Sequence, residues 1–201
     1  ISFDEKKYAE AFDLYKTLRN CSSSDNIKDM AYHGLVKSGF FANKYNETVL
    51  YADSLLGIPG LSVEMTNDAL YFKARSLQQF DSTDTCLAIY KELSGNKNGE
   101  IAAESRYRIS EILLKAGKLK DAEKAANSTI HLSAGYNYWV VKSYLVLAEV
   151  LEAEKDYFNA RATLESIVKH TKIDEVKKEA AAKLEEVNNL DKKHSKLSDE
   201  Q

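Results

Sequence analysis

The sequence predicts an all-α chain built from stacked antiparallel helix pairs. Three observations carry that prediction. Turn-forming residues are scarce, with 1 proline and 8 glycines in 201 residues, too few for the frequent turns of a strand-rich fold. Apolar residues recur at spacings of three and four, as in Ile109, Ile112, Leu113 and Ala116 and again in Leu119, Ala122, Ala125 and Ala126, which places each set on one helix face. A turn-then-helix pattern also returns at Tyr8, Tyr45, Thr83, Leu119 and Tyr157, at intervals of 37, 38, 36 and 38 residues, a period that marks a repeat array.

The elements follow in order. Residues 4–19 read as a helix with no partner upstream. Cys21 to Asp25 is a turn in which Ser24 or Asp25 can cap the next helix. Helices are expected near 26–42 and 45–57, the second stopped by Gly57-Ile58-Pro59-Gly60. The next pair spans 62–80 and 83–94, followed by the linker Gly95-Asn96-Lys97-Asn98-Gly99. The pairs 100–116 with 119–133 and 137–154 with 157–171 are the most regular. A helix at 173–190, apolar on a narrow stripe only, suits the polar closing element that a repeat array needs. One domain over 1–190 and a charged, frayed tail over 191–201 are therefore expected.

The repeat assigns packing positions. Three residues after each anchor stand Ala11, Thr48, Cys86, Ala122 and Ala160, all small. Nine before the later anchors stand Val36, Ala74, Ser110 and Ala148. Small residues there let paired helices approach to about 8–10 Å between axes. With those residues, the stretch Ser143 to Leu151 followed by Lys155 to Ala160, and the pair around Gly117, the chain resembles a divergent bacterial tetratricopeptide repeat array. The resemblance covers nearly the whole chain, in about four and a half copies. It implies a right-handed superhelical solenoid. Departures are a period longer than the family's usual 34 residues and Leu70 and Arg106 where Tyr32 and Tyr144 stand in other copies.

The resemblance also implies that the first helix of each pair lines a concave groove. Its projected lining includes Met30, His33, Lys37 and Phe40, then Asp68, Tyr71, Arg75 and Gln78. Farther on come Glu104, Tyr107, Glu111 and Leu114, and finally Lys142, Leu145, Glu149 and Glu152. Tyr71, Arg75 and Tyr107 are expected as docking anchors, because aromatic and arginine side chains dominate interfaces. With Lys37 and the carboxylates Glu104, Glu111 and Glu149 they form the candidate partner-binding set. A peptide or protein segment of basic character is the expected ligand. The family's carboxylate clamp for chaperone tails needs asparagines that this lining lacks, so that function is not carried over.

Chemistry is hard to find. The formal net charge of −3 disfavours nucleic acid, which wants a basic face. No run of 18 apolar residues is present, so membrane insertion is not expected. His33, His131, His170 and His194 have no metal-ligand spacing. Gly95 to Glu100 lacks the order of a phosphate-binding loop, and no nucleophile motif is found. Cys21 and Cys86 make no metal or redox motif, and both are expected free, Cys86 buried. No cofactor, metal or catalytic site is expected. The chain opens on Ile1 without a leader pattern, so a fragment or processed form is expected.

The function expected is a non-catalytic protein-interaction scaffold within a larger protein. One alternative is a part of cell-envelope assembly, because the long, tyrosine-rich, proline-poor repeats resemble periplasmic and outer-membrane-associated members of the family. Another is a helper module of an enzyme whose catalytic part lies outside this chain. Self-association through the uncovered first helix is a further expectation.

Overall fold

A computed structural model describes residues 3–80, 83–95 and 99–199, with side chains through residue 194. Among them are ten α-helices and no strand. The chain divides into two compact units, residues 1–93 and 94–201.

The first unit holds α1 (Tyr8–Cys21), α2 (Asp25–Phe41), α3 (Tyr45–Leu56), α4 (Val63–Leu77, extended by a 3-10 turn at Gln78–Phe80) and α5 (Thr83–Ser94). Helix α2 packs on α1, α3 and α4, and α3 packs on α4. The core is Phe12, Leu35, Val36, Tyr51, Ala52, Leu55, Ala69 and Phe72. Size complementarity sets the α1–α2 and α2–α3 contacts. A methyl group on Gly34 would fall into the Tyr15 ring, and one on Gly39 would stand 2.8 Å from Thr48 Oγ1. Helix α5 is tied to α4 where Cys86 Sγ donates to the Ala74 carbonyl at 3.4 Å and Tyr90 Oη to Gln78 Oε1 at 2.8 Å.

The second unit holds α6 (Glu100–Lys115), α7 (Leu119–Leu132), α8 (Asn137–Ala153), α9 (Tyr157–His170) and α10 (Asp174–Asp199). Each helix packs on the next, and α8 also packs on α6 and α10. One core joins Tyr107, Ala122, Ala126, Val146 and Val150; another joins Leu145, Ala148, Ala160, Leu164, Ile167, Val176, Ala180 and Val187.

The repeat seen in the sequence has a backbone counterpart. Asn43, Gly117 and Lys155 each follow a first helix at positive φ, 59°, 69° and 64°. The next residue then donates back to the carbonyl five positions earlier: Lys44 to Gly39, Lys118 to Leu113 and Asp156 to Leu151, at 2.8–2.9 Å. That 6→1 bond, with the 5→2 bonds Asn43 to Phe40, Gly117 to Leu114 and Lys155 to Glu152, closes the orphan carbonyls of the helix end. The second helix starts at once. All five residues three past the anchors, Ala11, Thr48, Cys86, Ala122 and Ala160, are at most 2 % exposed.

Two expectations change. Helix α1 starts at Tyr8 rather than residue 4, because Lys6 stands at φ 60°. Helix α10 runs to Asp199 rather than 190. Arg161 Nη1 bonds Asp191 Oδ2 at 3.2 Å and His194 sits edge-on to Tyr157, so the helix stays on α9 past the expected break. In the linker, residues 96–98 lie outside the described residues. Arg106, standing where other copies have tyrosine, is 8 % exposed and donates to the Ser94 carbonyl at 2.7 Å.

Candidate functional site

In the first unit the projected residues form two small clusters. Asp68 on α4 lies 2.8 Å from His33 Nε2 and 3.1 Å from Lys37 Nζ, both on α2. Burial pushes the Asp68 carboxyl up, but the hydrogen bonds and charges of His33 and Lys37 outweigh it and hold the pKa below the ordinary value. Tyr71 Oη accepts from Arg75 Nη1 at 2.7 Å. The Arg75 guanidinium stands 4.9 Å from the Phe40 ring centroid and 5.5 Å from that of Tyr71. Lys37, Tyr71 and Arg75 are half-buried, so their free energy is shared with neighbours inside the fold.

The second unit brings the projection together more fully. Tyr107, Glu111, Leu114, Lys142, Leu145 and Glu149 line one cavity of about 390 Å3, with Glu179 and Lys183 of α10 on its other side. Helices α6 and α8, the first helices of two successive pairs, build it together with the closing helix α10. Their register follows from the repeat: Lys142 meets Glu179, 37 residues on, at 2.7 Å, and Tyr138 Oη meets Glu175 at the same separation.

Two expectations about this cavity are corrected. Tyr107 is not a protruding anchor: it is 4 % exposed, with its ring 5.5 Å from that of Trp139. Lys142 Nζ lies 5.8 Å and the Arg108 guanidinium 5.4 Å from its centroid. Burial, then the Glu111 charge, pushes the phenol pKa well up. The acidic stretch is also neutralised from within. Glu104, itself 4 % exposed, and Glu111 both bind Arg108, at 3.1 and 3.0 Å. Lys115 also meets Glu111 at 3.4 Å, and Lys183 meets Glu149 at 3.1 Å. Burial raises the Glu111 carboxyl, yet Arg108 and Lys115 hold it low. The lining thus pairs three carboxylates with three lysines, Lys115, Lys142 and Lys183, so it is not the simply acidic face expected.

A second, larger cavity of about 620 Å3 lies between α7, α8 and α9. The repeat projection missed it because it followed only the groove face of α8, on the other side of the helix from Tyr144, Leu147 and Leu151. Tyr144 is 39 % exposed, which no spacing argument reveals.

Among the described residues no group of three or more His, Cys, Asp or Glu could hold a metal ion. No described helix is long and apolar enough to cross a membrane. Cys21 is exposed and Cys86 buried, both free thiols. No family model, curated protein or solved structure matches this chain.

Proposed function

We propose that this chain is a tetratricopeptide-like, right-handed solenoid module whose function is non-catalytic: it holds a protein or peptide segment against the first helices of its pairs. The observation that carries this reading is the 390 Å3 cavity of the second unit. Six residues projected from the repeat line it together, although they come from two helices separated by α7. The identical turns after α2, α6 and α8 support the same reading, since they make each pair a copy of one unit. Alternating Glu and Lys side chains around a short apolar floor of Leu114 and Leu145 suit a peptide backbone and its polar side chains.

Leu114→Trp fills this cavity from a half-buried position. Capture of partner protein from an extract of the source cells is expected to fall at least about tenfold, with the far-UV circular dichroism spectrum unchanged. Undiminished capture by the folded variant would sink the reading.

A further inference from the structure

Helix α8 carries a second face that this function leaves unused. At 3.6 residues per turn, Tyr144, Leu147 and Leu151 lie opposite Lys142, Leu145 and Glu149, with Val141 between the two faces. They floor the 620 Å3 trough whose walls are α7 and α9. Two carboxylates, Glu123 and Glu154, line it as well. Both stand at one end, because Ala122 and Val150 pack in the same cluster. Both are exposed, and among the described residues neither is held in an ion pair.

We propose that this trough binds an amphipathic helical segment of a partner protein, with an apolar stripe along one side and lysine or arginine at the end that meets Glu123 and Glu154. The walls α7 and α9 each run 14 residues, about 20 Å, the length of roughly four turns of an occupant. An apolar floor between two helices takes anchors at i, i+3, i+4 and i+7. Two exposed carboxylates facing the trough at one end favour a cation there and fix the direction of the helix.

The test uses a fluorescein-labelled synthetic helix of about 15 residues, matched to the walls, with leucines at that spacing and lysines in one terminal turn. A second peptide carries glutamates in their place. Anisotropy titration is expected to give a Kd of roughly 1–50 μM for the basic peptide and at least about tenfold weaker binding of the acidic one. Ala162→Trp on the exposed wall of α9 should weaken the basic peptide about tenfold or more. The double variant Glu123→Lys with Glu154→Lys should invert the preference. These substitutions are at exposed positions, so the fold is retained. Leu114→Trp, in the other cavity, should change nothing, which separates this inference from the proposed function. Equal binding of both peptides, or indifference to Ala162→Trp, overturns the proposal. So does self-association in sedimentation that Ala162→Trp abolishes while no peptide binds, because the occupant is then a second copy of the chain.

Discussion

Replacing Tyr107 by alanine should destabilise the second unit rather than merely weaken partner capture. The ring is 4 % exposed and lies against Trp139, Lys142 and Arg108. A buried aromatic removes about 150–250 Å2 from water, and truncation of such a side chain to alanine costs about 3–5 kcal/mol, cavity included. That is a large share of the roughly 5–15 kcal/mol that holds a domain folded. Tyr107→Phe keeps the ring and should stay within about 1 kcal/mol. Trp139 is the one tryptophan of the chain, so its fluorescence during urea unfolding reads this unit directly. Because folding raises the Tyr107 pKa, the neutral phenol is favoured in the native state. Its contribution is complete below the unfolded value of about 10 and fades as pH rises from there toward the folded value. Wild type should therefore lose stability relative to Tyr107→Phe above that pH. A loss below about 1 kcal/mol in Tyr107→Ala would refute the packing argument.

Three further outcomes follow from the same structure. Lys155 sits at φ 64° where its equivalent is Gly117, so Lys155→Gly should stabilise by about 0.5–1 kcal/mol and Gly117→Ala destabilise by about 1–2 kcal/mol, read as shifts in the urea midpoint. Asp68 has a depressed folded pKa; its stabilisation is present above the unfolded value of about 3.9 and disappears as pH falls through the folded one, so Asp68→Asn should flatten the acid limb of a pH–stability profile. Burial pushes the Cys86 thiol up to about 11, so Ellman's reagent at pH 8 should titrate Cys21 at once and Cys86 only after denaturant is added; a fast second equivalent in the native protein would contradict its burial.

How much of this was legible depends on whether a feature is set locally. The interior helix boundaries were, because the recurring turn-then-helix pattern, clearest at Gly117, carries its own signal; the start of α1 and the end of α10 were not. The repeat also placed the turns before Tyr45 and Tyr157, but not their left-handed residues Asn43 and Lys155, because an asparagine or lysine there looks ordinary in sequence. For the groove, the repeat gave the face: Tyr107, Glu111, Lys142 and Glu149 do share a cavity. It did not give depth. Tyr107 is buried by Trp139 and Lys142, more than thirty residues away, and helix spacing is silent about that. Part of the charge balance was readable, since Arg108 lies four residues from Glu104 and three from Glu111. The Lys183–Glu149 pair depends on where α10 packs against α8, which the sequence, suggesting only a solubilising end, does not show. The trough on the back of α8 escaped because exposure of Tyr144 depends on how far apart α7 and α9 stand.

The central claim is that a partner segment lies along α6, α8 and α10 of the second unit. The most direct measurement places a photo-crosslinking amino acid at position 114, inside the cavity, and separately at position 50, an exposed leucine of the first unit that is 62 % accessible. After irradiation with native partner present, a covalent adduct is predicted from position 114 and none from position 50. Equal adducts from both positions, or an adduct from position 50 alone, would contradict the account.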